Sequence, residues 1–330
     1  MRCKASPQKR AVALDDAHLA YPQRRYGMDH ERYAWSMLTQ RRPVVWPGGK
    51  TLAVWVNLSL EHFPLNPVGK PVKLPGSMTM PYPDLRHYTL RDYGNRVGIF
   101  RMLRALDQAG VRPSFAINAD LVARYPYLVR EIAARCQGGG GEVLGHSWSM
   151  DTPHAGGLNE TDEAALVARS LLTLRQAFEG PVRGWLSPGR LESARTPELI
   201  KAHGIDYFCD WVNDELPYAF HTSHGDLWAM PLASEIEDRF VLLDNFHSEA
   251  SWAEQVTDAF DLLRDEARTQ GGRIFSLSLH PWVMGQPHRI KHLEAVLAHI
   301  TGHSDVWTAL PGQIVDAFSA QQLAAAGTAP

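Results

Sequence analysis

Apolar residues follow two rhythms along this chain. The first is a set of short β-branched and aromatic runs. TLAVWVNLSL (Thr51–Leu60) follows the turn Pro47-Gly48-Gly49 and predicts a buried strand. Further strands are predicted at Pro113–Ala119, Glu142–Gly145, Val182–Leu186, Tyr207–Asp210, Leu227–Pro231, Arg239–Leu243, Ile274–Leu279 and Val306–Ala309. The second rhythm is helical. Val97, Ile99, Phe100, Leu103 and Leu106 share a stripe that predicts a helix over Tyr93–Ala109, stopped by Gly110. Helices are also predicted at Tyr127–Cys136, Glu160–Phe178, Thr196–His203, Trp252–Thr269 and Ile290–Thr301. Strand–helix alternation over roughly 270 residues implies an α/β fold, either a parallel barrel or a doubly wound sheet.

Two stretches break the rhythm. Pro64–Asp84 carries prolines at 64, 67, 71, 75, 81 and 83, which exclude helix and central strand and predict a long loop walling or covering a pocket. The first 45 or so residues, rich in Arg, Tyr and Gln, lack periodicity and read as an arm around the body or a neighbour. Residues 1–43 are therefore assigned to an arm, 44–318 to one barrel and 319–330 to a tail; no internal repeat and no domain linker is evident.

Composition narrows the function. With 330 residues and 45% hydrophobic content the chain can bury a large core. A net charge of -3 gives no footprint for nucleic acid or anionic membrane and suits a small organic substrate. The three cysteines, Cys3, Cys136 and Cys209, form no CxxC pair, which excludes a disulfide framework or thiolate zinc cluster. No apolar run is long enough for a signal peptide or membrane span, so a cytoplasmic location is expected.

In a barrel of this class, chemistry gathers where strands end. The predicted tips bring Glu61, His62, Asn118, His146, Trp185, Ser187, Asp210, Trp211, Asp244 and His280 to one mouth, more histidines and carboxylates than a polar rim requires. His280 ends the apolar strand SLSLH, where an ionisable group is costly to bury unless paired. Trp185, Trp211 and Trp282 offer flat walls for a small ring, or core filling. His221 and His224 lie in a predicted loop without a third ligand and are expected at the surface.

At these tips VNLSLEHF, GHSWSMDTPHAGGL, RGWLSPGR, CDWVNDELPY and LSLHPWVMGQPHRI, in that order, resemble the successive motifs of the polysaccharide deacetylase (NodB-homology) superfamily over about Val44–Phe318. The last three, with DVWTALPGQIVDAF, look similar to the branch containing the metal-independent allantoinase analogue and the cyclic imide hydrolases. The resemblance implies a distorted (β/α)7 barrel, hydrolysis of a carbon–nitrogen bond, and an active-site role for His280, with Asp210 orienting a histidine or substrate. It also implies a pocket-shaping loop at Ser187, and favours Arg289 as a fork for a carboxylate or carbonyl. Homo-oligomers are common among such barrels, and one is expected here.

The departures from the pattern carry information. Metal-dependent members have two adjacent aspartates in the first motif, where this chain reads Ser59-Leu60-Glu61-His62. They also have two histidines four apart, where His146 is followed by Met150, a poor ligand for a borderline cation. Asp151 and His154 lie close enough in sequence to join His146 and Glu61 around a divalent metal such as zinc, but none is required for the expected reaction. That reaction is hydrolysis of a small amide, ureide or cyclic imide, with Glu61 activating water and His146 polarising the carbonyl or moving a proton. Alternatively, Glu61 is salt-bridged to Arg96 or Arg183, and His146 is held by backbone. Asn118 and His154 complete the substrate-binding candidates. Two other functions stay open: a metal-dependent deacetylase or deformylase, and a non-catalytic ligand-binding barrel.

Overall fold

A computed structural model describes residues 30–67, 84–155 and 157–327. Most of the proline-rich stretch, 68–83, and most of the expected arm, 1–29, lie outside the described residues, as does Gly156. The chain divides into two compact units, Met1–Arg41 and Arg42–Pro330. In the first, the described residues form a 3-10 turn at Leu38–Gln40.

The second unit is built on one curled sheet. Its strands are β1 (Leu52–Leu60), β2 (Ser114–Ile117), β3 (Glu142–Gly145), β4 (Gly184–Trp185), β5 (Tyr207–Phe208), β6 (Tyr218–Thr222), β7 (Gly225–Ala229), β8 (Arg273–Leu279) and β9 (Val306–Thr308). Their order is β6-β7-β5-β4-β3-β2-β1-β8, with β9 also on β1. All neighbours are parallel except the β6–β7 hairpin. Helices α1 (Leu85–Tyr93), α2 (Ile99–Ala109), α3 (Leu121–Arg124), α4 (Pro126–Gln137), α5 (Glu160–Phe178), α6 (Thr196–Ala202), α7 (Glu249–Gln270), α8 (Ile290–Thr301) and α9 (Pro311–Gly327) complete the fold. None of the described helices is long and apolar enough to cross a membrane.

The period of two along β1 divides its residues between the two faces of the sheet. Ala53 and Trp55 join Ala116, Leu144, Tyr207, Met230 and Ile274 in one core, and Ile314, Val315 and Phe318 of α9 pack into it. Burying each large apolar side chain of this kind contributes about 1.5–3 kcal/mol. Further along the same face the strand turns polar. Trp55 Nε1 donates to Ser114 Oγ (2.7 Å), Ser114 Oγ to Asn57 Oδ1 (2.8 Å) and Asn57 Nδ2 to Ser59 Oγ (3.3 Å). One end of the barrel is therefore apolar, and the other is a chain of hydrogen bonds leading to the strand tips.

The structure adds helices Leu85–Tyr93, Leu121–Arg124 and Pro311–Gly327, the last running into the expected tail 319–330, and it reassigns two predicted segments. Phe240–Asp244, expected within a strand, is a π-helical turn, and Asp244 is exposed at its end rather than at a strand tip. A short apolar run cannot by periodicity alone distinguish strand from buried helix. The segment around His221, expected as a loop, is strand β6; its exposed side chain pairs with Asp226 at 2.9 Å, and His224 sits in the hairpin turn.

Candidate active site

The alternation of β1 that runs through Ala53, Trp55, Asn57 and Ser59 delivers Glu61 to the barrel mouth. Its backbone carbonyl accepts from Asn95 Nδ2 at 2.8 Å. Asn95 belongs to a π-helical turn, Gly94–Gly98, inserted between α1 and α2; such turns re-aim one residue without breaking the helix. The turn lies flush against the loop after β8, because a Cβ on Gly98 would meet the Pro281 carbonyl oxygen at 2.2 Å. Glycine there fixes the spacing between Glu61 and the loop that starts at His280.

His146 follows β3. Its carbonyl accepts from Asn118 Nδ2, and its N–H donates to the Ile117 carbonyl at 3.1 Å. The ring Nδ1 lies 2.5 Å from the Leu186 carbonyl oxygen. A carbonyl only accepts, so Nδ1 carries a proton and Nε2 is the ring atom turned toward the cleft. Nε2 is buried, has no hydrogen-bond partner among the described residues, and sits 3.8 Å from Glu61 Oε1. The next residue, Ser147, has φ 55°, a strained value for a side-chain-bearing residue and common at functional turns.

His280 approaches Glu61 from the other side, with Nε2 at 3.7 Å from the same Oε1. Its Nδ1 lies 2.7 Å from Asp238 Oδ1, and its backbone N–H donates to Asp238 Oδ2 at 2.8 Å. Burial works against charge on this ring, but Asp238, Glu61 and Glu237 outweigh it and raise its basicity above the ordinary histidine value. These anions favour the imidazolium form, whose Nε2–H faces the cleft. For Glu61 the balance is opposite in sign. Burial favours the neutral acid, yet the charges of His280 and Arg239 lower the carboxyl to about 2. Trp282 Nε1 donates to its Oε2 at 3.3 Å.

Behind this trio Glu237 bridges Arg190 (2.9 Å) and Arg239 (3.0 Å). Burial would raise the Glu237 carboxyl, but the two guanidiniums and His280 keep it low. The cleft, open to solvent, spans about 240 Å3 and is lined by Ser59, Glu61, His146, Arg190, Glu237, Arg239, Ser278 and His280, among others. Glu237, Asp238, Arg239 and Arg190 were not singled out from sequence. The one available signal was an EDR cluster close to an apolar stretch.

The remaining sequence candidates divide between supports and bystanders. Asn118 spends its amide on the His62 N–H and the His146 carbonyl, which holds two strand tips together. Ser187 lines the cleft, but its N–H and hydroxyl both bind Asp210, each at 2.7 Å, and its Oγ accepts from Trp185 Nε1 at 3.0 Å. Asp210, raised by burial against the pull of Ser187, therefore positions the loop rather than facing the cleft. Trp211 donates to Glu192, and Arg289 pairs with Glu249 at 3.0 Å. His154 is buried with both ring nitrogens engaged, Nδ1 on Glu163 at 3.1 Å and Nε2 on Ser147 Oγ at 3.0 Å. Asp151 and Met150 line a different cavity of about 390 Å3 beside Phe63, His87 and Arg91. Neither Arg96, paired with Asp92, nor Arg183, paired with Asp206 and Asp316, reaches Glu61.

These positions decide how well the cleft suits a divalent cation. A catalytic zinc needs three protein donors. Here His154 and Asp151 are turned elsewhere, so His146, Glu61 and His280 remain. Among the described residues the cleft presents no three ligand atoms in mutual reach. The donor set fits a resident metal poorly.

No family model matches the chain. A putative polysaccharide deacetylase of Schizosaccharomyces pombe is 25% identical over 265 residues, covering 73% of this chain and 80% of the relative. Among solved structures, PuuE allantoinase superposes with a TM-score of 0.76 at 21% identity, covering 89% of this chain and 98% of its own. A probable polysaccharide deacetylase from Pseudomonas aeruginosa PAO1 gives 0.73 at 22% identity, covering 83% and 93%. Both solved structures share the fold of this chain, a (β/α)7 barrel.

Proposed function

We propose that this chain belongs to the polysaccharide deacetylase (NodB) superfamily, that it is a hydrolase acting on carbon–nitrogen bonds other than peptide bonds, and that its substrate is a small amide, ureide or cyclic imide. The relatives are described as deacetylases and an allantoinase, which supports the reaction class. The observation that carries the finer reading is a single carboxylate oxygen between two imidazoles, 3.8 Å from His146 Nε2 and 3.7 Å from His280 Nε2.

The lone pair of His146 is the base. A water in the gap donates one proton to Nε2 and the other to Glu61 Oε1, both too far apart for a direct hydrogen bond. Glu61, held as an anion, is a weak base but a good orienting acceptor. As the water oxygen attacks the carbonyl carbon, negative charge grows on the carbonyl oxygen. The imidazolium form of His280 and the half-buried guanidinium of Arg239 line the cleft to stabilise it. His146, now protonated, or His280 then gives a proton to the leaving nitrogen, and the carbon–nitrogen bond breaks. A ring imide or ureide, with its activated carbonyl, asks less of such a metal-poor site than a sugar acetamide does. The narrow cleft also favours a small substrate.

The test is a turnover panel of ring imides, ureides, formamides and acetamides, run on chelator-treated and untreated enzyme. Turnover of a ring substrate that survives chelation is the expected result. Activity confined to acylated sugars and lost with the metal would favour the deacetylase reading. No turnover across the whole panel would favour a ligand-binding barrel.

A further inference from the structure

At the opposite end of the barrel lies a cluster the reaction does not use. Asp261 on α7, His299 in the last turn of α8 and His303 one turn further present ligand atoms that all lie within 4.8 Å of one another. Asp261 Oδ1 and His299 Nε2 are 2.8 Å apart. Beneath them Phe260 acts as a floor: it stacks on His303 (centroids 5.5 Å, 26°) and meets His299 edge-on (5.5 Å, 78°). The two imidazoles are themselves edge to face at 5.3 Å. Their orientations are thus set by packing and by one hydrogen bond, which lowers the ordering cost of bringing them around an ion.

We infer that Asp261, His299 and His303 form a binding site for a borderline divalent cation of the zinc class, clamping α7 to α8. Two imidazoles and one carboxylate suit zinc rather than calcium or magnesium, and they leave a fourth position for water. All three residues are half-buried, so an ion can enter. The nearby Arg264 does not oppose it, because its charge is taken by Asp305 at 2.9 Å. The Asp305 carbonyl accepts from Thr51 N–H at the start of β1. Glu61 lies past the other end of that strand, about 30 Å away at ~3.3 Å per residue. The site is therefore separate from the cleft, and binding there stabilises the fold without touching turnover.

The experiment is isothermal titration of the chelator-treated, desalted full chain with zinc chloride, alongside His303→Ala and Asp261→Asn, with folding checked by circular dichroism. Wild type is expected to bind zinc with micromolar affinity and to gain melting temperature as free zinc rises. Each variant should bind about tenfold more weakly or lose one equivalent. His303→Ala should keep its metal-free melting temperature and full hydrolytic activity. The assignment is overturned if wild type binds no zinc up to millimolar concentration, or if His303→Ala binds as wild type does. It also fails if binding is lost in Glu61→Gln and kept in His303→Ala, which would put the ion in the cleft.

Discussion

Two buried glutamates in this barrel each face a histidine, and the pairs differ in what surrounds them. Glu163 accepts from Thr196 Oγ1 (2.6 Å), Ser193 Oγ (2.8 Å), His154 Nδ1 (3.1 Å) and Arg195 Nε (3.2 Å). Glu61 accepts one side-chain hydrogen bond, from Trp282, and stands 3.7 and 3.8 Å from its two imidazoles. Both carboxyls are lowered to about 2. A perturbed acid is thus no mark of chemistry by itself. What separates the pairs is saturation. His154 has both nitrogens engaged, whereas His146 turns Nε2 toward the cleft with no hydrogen-bond partner among the described residues.

The sharpest way to break this contrast is to neutralise each glutamate. Glu61→Gln should lower kcat about 10³-fold, within the range for lost acid–base machinery, while the protein still folds. Comparable turnover would remove Glu61 from the reaction. Glu163→Ala should act the other way. It strands His154, Ser193, Thr196 and Arg195 at a buried site, and breaking such a pair costs about 3–5 kcal/mol. Urea unfolding measures that loss. Turnover of the folded fraction should fall by no more than about tenfold, through the contact of His154 with Ser147 beside His146.

A smaller effect tests the support behind His280. Asp238→Asn removes the anion at 2.7 Å that does most to outweigh burial, so the imidazole loses basicity. In wild type, activity that depends on the imidazolium falls as pH rises through a value above 6.5. In the variant that alkaline limb should move to lower pH, with kcat at neutral pH down about a hundredfold. An unmoved limb in the pH–rate profile would mean that His280 is not the titrating acid.

The contrast also explains which parts of the site were legible in sequence. Strand rhythm placed Glu61, His146 and His280 at strand ends, and the rule that tips converge brought them together. His154 sits near His146 in the chain and was read as a mouth residue. Packing against α5, where Glu163 points inward, takes it away from the cleft, and no local pattern encodes that. Glu237, Asp238 and Arg239 lead into the helical turn at Phe240–Asp244, where the apolar run predicts a strand from Arg239 instead. Their roles come from tertiary burial beside β8. Asn95 was hidden for a related reason, because a π-helical turn shifts the helical stripe by one residue.

The smallest expected effect tests the comparison where the two pairs should agree. A carboxyl lowered in the folded state adds stability above its unfolded value, and that stability is lost as pH falls toward the folded value. For Glu61 and Glu163 the window runs from 4.5 down to about 2. Wild type should therefore lose stability steadily across it, and urea midpoints at successive pH values follow the slope. Replacing either glutamate by glutamine should flatten that slope, since one proton fewer is taken up on unfolding within the window. If both flatten it and only Glu61→Gln abolishes turnover, acidity belongs to both pairs and reactivity to the one left unsaturated. If Glu61→Gln leaves the slope intact, its carboxyl is not held as an anion by His280 and Arg239, and the orienting role assigned to it fails with that charge.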